Sequence, residues 1–458
     1  MSNIKRFLLM LLATFAMYGL SLKYCFSHDD FYFLSISHAK NIGEVFAFFS
    51  PFAQSGFAFY RPLGTQLYYY LSVLLFGLSR APLAMHGFMV LIQAANAYLV
   101  LRLVEKLTKN SRLAVLVGIL YATSAVHFLS LFYIAATQEL LAACFSLLSL
   151  NYFLDQKFWR SALFFGIGLL AKETAIVTPV VAFLLTQYQN GFRIVNKKYF
   201  VNFVPYIILA TCYLLLRLSA GIHVQSDYHM IFGTNVIGGL RWYWWFPFGL
   251  PELVTSYAAP HLAVNFRQFF SDFGIEAGVV TVWSLVISSI VMIWTALLVI
   301  RGDEVARRQS AVLFLWWLVG IAPVVAIPAH YYPHYLDVGL VPLLILLLSP
   351  LKGWRQLAIA TGMVVVSAVA VQLSIKTHWT IKRADMAVRA EQMIQATHAC
   401  SESSWDIVGT GTSPLEVSYA LSGENGPRVL CNNATLQVEY GNMPRAGEFT
   451  LSARGILE

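Results

Sequence analysis

The sequence predicts an all-α polytopic membrane protein with about 11 transmembrane helices, followed by a small α/β domain. Three observations carry this. The 458 residues are 58% hydrophobic and only 12% charged, about half the ~25% charged content of soluble domains. Apolar runs of near 20 residues recur, long enough to cross ~30 Å of hydrocarbon. After residue 373 the pattern changes to a polar tail, residues 374–458.

The first run, residues 7–26, follows Lys5-Arg6. It is longer than the ~7–15-residue apolar core of a signal peptide and ends in Lys23-Tyr24-Cys25-Phe26, without a small-residue cleavage site. It reads as a retained anchor. Further apolar segments run over 82–103, 113–130, 139–154, 160–171, 174–189, 199–219, 277–300, 310–327, 337–350 and 354–373. Residues 64–79 are short for a span and rich in tyrosine. Charge decides their placement. If they do not cross, sixteen of the 31 basic residues fall at short connections on one side, as the positive-inside bias requires. If they crossed, most of these clusters would flip. Residues 64–79 are therefore expected as a surface or re-entrant helix, tolerable where the backbone stays hydrogen-bonded.

The amino terminus is then inside and the carboxyl terminus outside. The outer face of the inner (cell) membrane receives the loop 27–81, the turn 131–138, the Lys172-Glu173 turn, the loop 220–276 and the turn 328–336. Trp242, Trp244, Trp245, Phe246 and Pro247 are expected at the membrane interface. In the tail, a charged helix over 379–399 is expected to precede strands at 405–409 and 428–431, with a helix at 414–421 between them. Gly409-Thr410-Gly411 lacks the third glycine and distal acid of a nucleotide fingerprint and reads as a tight turn. The domain division is 1–373 and 374–458.

The net charge of +8 reflects lysines and arginines scattered between apolar runs, so no nucleic-acid partner is implied. Cys25, Cys144 and Cys212 lie in or beside apolar runs and read as packing residues. Cys400 and Cys431 form either a disulfide, if the tail is outside, or two free thiols. No metal-type Cys/His spacing is present.

Ionisable residues beside a membrane are expensive, and a few stand out. Asp29-Asp30 precede Phe31-Tyr32-Phe33. A carboxylate held against aromatics has its pKa raised toward the range of a general base, and adjacent helical positions point ~100° apart, so one of the two is expected to face a site. A solvated helix cap is the alternative. Arg61, fixed by Pro62, suits a phosphate or carboxylate through its planar fork; lipid headgroups are the alternative. Lys172-Glu173 sit between apolar runs, where charges are usually functional or form a mutual ion pair. Glu139 opens a span and either serves the site or only favours the helix dipole. His330 and His334, with Tyr335 and Asp337, are expected to form a polar cluster on the same face. Arg217 and Arg241 are weaker candidates.

Carboxylates on one wall and Arg, Lys and His on the other suit a sugar carried on a polyprenyl phosphate. A carboxylate would deprotonate the acceptor hydroxyl, and cations would stabilise the leaving phosphate. No soluble nucleotide-sugar site is visible.

Several segments resemble a family: His28-Asp29-Asp30, Tyr60-Arg61-Pro62-Leu63, Leu75-Phe76-Gly77-Leu78, Met85-His86-Gly87-Phe88, Gln138-Glu139-Leu140-Leu141-Ala142-Ala143 and Gly168-Leu169-Leu170-Ala171-Lys172-Glu173. They are similar to C-type (GT-C fold) polyprenyl-phosphate-sugar-dependent membrane glycosyltransferases, in particular the transmembrane O-mannosyltransferases of glycosyltransferase family 39, without tetratricopeptide repeats. The resemblance covers residues 1–190 and is absent from the tail. It implies an inverting hexose transfer in which Asp29 or Asp30 is the base. Arg61, Glu139, Lys172, Glu173, His330 and His334 would bind substrates. Ser124-Ala125 stand where the family has His-Pro, and the arginine expected near Thr137 is absent. The expected partners are a polyprenyl-phosphate sugar donor, a glycan, lipid or protein acceptor, and membrane lipids. The sequence points to no particular cofactor and leaves a divalent metal open. Two other readings stand beside this one: a non-catalytic transporter or flippase of lipid-linked sugars, and an inactive scaffold whose tail binds a partner.

Overall fold

A computed structural model describes residues 2–52, 59–190, 197–219, 228–258, 264–409, 413–441 and 449–457. Gly409 is described; Thr410 and Gly411 of the proposed turn lie outside the described residues.

Helix α1 (Asn3–Tyr18) starts at Ser2, whose hydroxyl accepts from the Lys5 N–H. Met10, Thr14 and Tyr18, four residues apart, form its buried stripe, while Leu8, Leu12 and Phe15 face outward. A helix with apolar residues on both faces is the pattern of a lipid-contacting span. Next come α2 (Asp29–Ser35), α3 (Ile42–Ala47), α4 (Tyr68–Phe76) and α5 (Ala81–Thr108). Helix α6 (Ser111–Thr123) breaks before α7 (Phe128–Phe132). Then follow α8 (Thr137–Leu154), α9 (Phe158–Ala171), α10 (Thr178–Asn190), α11 (Lys197–Ser219), α12 (Thr234–Trp245) and α13 (Phe266–Arg301). The last three helices of the apolar part are α14 (Glu304–Ile321), α15 (Leu340–Leu348) and α16 (Trp354–Thr377). Gly118 lets α6 close on its neighbours: a Cβ there would lie 3.1 Å from both Leu101 Cβ and Met10 Sδ.

Helices occupy all eleven expected positions. Among the described residues, seven segments are long and apolar enough to cross a membrane: Asn3–Lys23, Ala81–Thr108, Ser111–Phe132, Ile134–Leu154, Phe200–Ser219, Phe266–Arg301 and Trp354–Thr377. The chain is a membrane protein. Helix α15, with nine residues, is only about 14 Å long at ~1.5 Å per residue. All nine are buried, so it is enclosed by protein rather than by lipid. Residues 64–79 give a π-turn (Leu63–Leu67) and the short α4, not a full span.

The basic connections meet at one end of the bundle. Arg6 pairs with Glu105 at 2.7 Å, Lys106 with Asp155 at 2.8 Å, and Arg112 donates to the Gly353 carbonyl at 3.0 Å.

One expectation is refined and one is corrected. The Trp242–Pro247 cluster packs mostly inside the protein. Trp242, Trp244 and Phe246 are buried among helices, and Trp244 and Trp317 rings meet edge-on at 5.1 Å. The aromatic run signalled burial in protein, which composition alone does not separate from an interfacial belt. Residues 428–431 are not a strand. They belong to α19 (Asn425–Leu430) and its cap; a four-residue run is too short for its apolar pattern to choose between the two periods.

The tail begins with α17 (Trp379–Ala396), followed by β1 (Ser404–Val408), α18 (Pro414–Leu421), α19, β2 (Gln437–Gly441), β3 (Phe449–Ser452) and α20 (Ala453–Leu457). The sheet order is β2-β1-β3, all parallel. A parallel pair needs a crossover, and α18 and α19 supply it between β1 and β2. A disulfide joins Cys400 to Cys431. The tail shares one hydrophobic core with the first loop: Phe31 and Phe33 of α2 belong to the same cluster as Trp405, Val417 and Leu421. In denaturant without reductant, alkylation is expected to label three of the five cysteines, Cys25, Cys144 and Cys212, and to reach Cys400 and Cys431 only after reduction, as read by peptide mass spectrometry.

Candidate functional site

At the end of the bundle opposite the basic connections lies a cavity of about 740 Å³. It is lined by His28, Asp29, Arg61, Lys172, His330 and His334, with Trp379 and Ser422 from the tail.

The adjacent aspartates divide as helical geometry requires. Asp29 lines the cavity with its side chain half exposed. Its backbone N–H donates to the Tyr133 hydroxyl at 3.0 Å. Asp30 points the other way and is 1% exposed. It accepts from the Tyr69 hydroxyl at 2.6 Å and from the Ser27 N–H at 2.8 Å. Burial pushes the Asp30 carboxyl up to about 7, against the lowering effect of these two bonds.

Arg61 is buried, and three of its five N–H groups are engaged by neighbouring side chains. Nε donates to Glu173 Oε2 at 2.7 Å, Nη2 donates to the other Glu173 oxygen, and Nη1 donates to Gln138 Oε1 at 2.9 Å. Such two-point guanidinium–carboxylate pairs are strong and fix geometry. The Phe59 ring lies 4.0 Å from the guanidinium carbon. The segments meet because Gly64 has no side chain: a Cβ there would stand 2.5 Å from the Ala171 carbonyl and 2.7 Å from Gln138 Cβ. The neighbour of Ala171 is Lys172. Burial alone would raise the Glu173 carboxyl, but the Arg61 charge outweighs it and holds the group below the ordinary carboxylate range. Arg217 adds a second cation at 3.6 Å.

Lys172 leaves α9 in an extended conformation and pairs with Glu139 at 2.6 Å, both side chains buried. Glu139 also accepts from the Thr174 hydroxyl at 2.9 Å. The ammonium sits 4.7 Å from the Tyr335 ring centre. Burial lowers the Lys172 ammonium and the Glu139 charge opposes that shift. His334 is pushed well below its usual value by burial first and by Lys172 second, so it faces the cavity neutral. His330 stacks on Tyr228 at 4.0 Å.

All eight expected residues lie in or beside this one cavity. Asp29, Arg61, Lys172, His330 and His334 line it, whereas Asp30, Glu139 and Glu173 stand behind as partners. Asp337 corrects the expected polar cluster. It turns inward to His127 at 2.8 Å, and both are buried. Arg241 lies away from the cavity lining, 4.5 Å from the Trp242 ring centre. The sequence singled out none of the neutral lining residues Tyr133, Gln138, Tyr228, Tyr332 and Trp379 as site members. Tyrosine is too frequent here, with 23 copies, for any one to signal a site. Among the described residues there is no group of three or more His, Cys, Asp or Glu that could hold a metal ion.

No family model and no curated protein matches the chain. Among solved structures, the chain is similar to the archaeal oligosaccharyltransferase AglB from Archaeoglobus fulgidus in complex with an inhibitory peptide and a dolichol-phosphate. The TM-score is 0.51 at 10% identity, covering 95% of this chain and 64% of that one. The Archaeoglobus fulgidus oligosaccharyltransferase in complex with Zn and sulfate gives a TM-score of 0.35 at 14% identity, covering 96% of this chain and 54% of that one. The chain therefore spans less than two thirds of the length of either. The first likeness shows a shared fold.

Two outcomes are expected. Lys172→Met leaves Glu139 buried without its partner and is expected to destabilise the protein by about 3–5 kcal/mol, with Glu139→Gln in the same chain restoring much of the loss; thermal unfolding of both single variants and the double variant closes the cycle. Asp30 keeps its proton in the folded state between about pH 4 and pH 7, where the unfolded chain releases it. Stability is therefore expected to fall as pH rises through that window, by at most ~4 kcal/mol, and Asp30→Asn is expected to remove that component of the pH profile of Tm.

Proposed function

We propose that the protein is an inverting glycosyltransferase. It moves a hexose from a polyprenyl-phosphate donor to a hydroxyl of a glycolipid, polysaccharide or protein acceptor. The site faces outward from the bacterial inner membrane, with the basic end of the bundle in the cytoplasm by the positive-inside bias. Residues 1–373 form the membrane catalytic unit and 374–458 an extracytoplasmic unit.

One observation carries this reading: residues 29, 61 and 172, far apart in sequence, share one cavity with a solvated carboxylate on one side and buried cations on the other. The fold shared with AglB, a protein solved with a dolichol-phosphate, is in keeping with a lipid-phosphate donor.

The donor phosphate would lie against Arg61 and Lys172. Glu173 and Glu139 hold these cations in place before the donor arrives, so little reorganisation is needed when negative charge grows. Asp29 takes the acceptor's hydroxyl proton. The acceptor oxygen then attacks the anomeric carbon from the face opposite the phosphate, forming the new C–O bond. The old C–O bond breaks and its electron pair leaves on the polyprenyl phosphate, which gains one negative charge. His334, neutral, is suited to hydrogen-bond a sugar hydroxyl. Asp30 is a positioning residue: through Tyr69 and Ser27 it fixes the start of α2.

The test is transfer of labelled hexose from synthetic polyprenyl-phosphate hexose to a cell-envelope glycan fraction by the full-length protein in nanodiscs. Asp29→Asn is expected to lower kcat by about 100-fold or more, the scale of a lost general base. Arg61→Lys should also lower it, because an ammonium cannot reproduce a two-point contact. Full activity in both variants removes the site. Movement of the lipid-linked sugar across sealed vesicles without glycoside formation would favour a transporter instead.

A further inference from the structure

The tail does more than cap the loop: it supplies one wall of the cavity. Trp379, the first residue of α17, lines it together with Ser422, just after α18. The Trp379 ring meets Tyr133 at 5.6 Å and His28 at 5.6 Å between centres. Arg383, one turn on, places its guanidinium 4.8 Å from the Trp379 ring and 4.9 Å from that of Tyr419. The wall is held from several sides. His378, which precedes Trp379, pairs with Glu252 at 3.2 Å and accepts the Thr380 N–H. On the loop side, the His28 N–H donates to the Ala420 carbonyl at 2.7 Å, and its ring Nδ1 lies 2.8 Å from the Tyr419 carbonyl. Trp379 itself is only partly buried.

We infer that this wall is the acceptor subsite and that it binds the ring of a pyranose. A pyranose has a C–H face and a rim of hydroxyls. The Trp379 indole lines the cavity between the Arg383 guanidinium, 4.8 Å from its ring, and the His378 ring at 5.4 Å, and His28, Ser422 and Asp29 put polar groups around it on the same lining. Large aromatic side chains combine an apolar body with polar neighbours at low entropic cost, which is how small sites gain both affinity and orientation. The assignment also fits the charge layout. The cations that would take the donor phosphate belong to Arg61 and Lys172, while Trp379 lies by Asp29, His28 Nε2 being 3.7 Å from the Asp29 carboxylate. A sugar stacked on Trp379 would present a hydroxyl to the base. The acceptor is thereby a glycan or glycolipid rather than a peptide, and Trp379 is a specificity-determining contact. This inference rests on the transfer reading for its role, but its test does not depend on transfer.

Saturation-transfer NMR measures it directly, using full-length protein in nanodiscs with methyl glycosides of glucose, galactose and mannose as probes. Wild type should saturate the ring C–H protons of at least one probe. Trp379→Phe, which keeps an aromatic face, should retain the signal within about twofold. Trp379→Leu, which fills space without one, should lose about fivefold, a loss within the range of an aromatic stacking contact. A purely structural role would not separate Phe from Leu. Equal signals from the Phe and Leu variants overturn the inference. So does absence of sugar contact in wild type, or saturation of a serine- and threonine-containing peptide while the glycosides show none. A protein that binds glycosides through Trp379 but transfers nothing would sink the catalytic reading and leave this wall standing.

Discussion

The fork-to-fork pairing of Arg61 with Glu173 is the contact on which the rest of the site depends. A guanidinium buried at the edge of a membrane protein is tolerable only when its charge and its N–H groups are answered. Answering it draws a loop residue to a turn 112 positions later. That turn also carries Lys172, whose own burial draws in Glu139. Two coupled ion pairs thus bring the first loop, α8 and the α9–α10 turn together, and the cavity is the space they leave on the side of α2. Gly64 makes the approach sterically feasible.

The pairing also accounts for a division of labour among the carboxylates. Glu139 and Glu173 are committed to cations, and Asp30 is committed to Tyr69 and Ser27. Asp29 alone among these four lines the cavity. The chemistry we propose therefore falls to the one of the four whose carboxylate opens onto the cavity.

Much of this was legible in the chain. The helices follow from apolar run lengths, and Arg61, Lys172 and Glu173 stand out because charge is scarce. The choice between Asp29 and Asp30 was not legible. Helical spacing says that they diverge, but contacts such as that with Tyr69, 39 positions away, decide which one turns inward. Nor could the pairing of Arg61 with Glu173 be read, since each was equally reasonable as a ligand for something else. The Trp242–Pro247 run was ambiguous because aromatic residues serve buried cores and lipid interfaces alike. The tail's part in the cavity was invisible for a different reason. Trp379 is one tryptophan of 11, at the start of a helix whose sequence looks merely charged, and its position comes from contacts with His28 and Tyr133 more than two hundred residues earlier.

The backbone at His28 holds φ 51° and ψ −124°, a conformation that a side-chain-bearing residue adopts only under duress, at ~1–3 kcal/mol. Two contacts from α18 hold it there. Stored tension thus sits one peptide bond before Asp29, with its restraint nearly four hundred residues downstream.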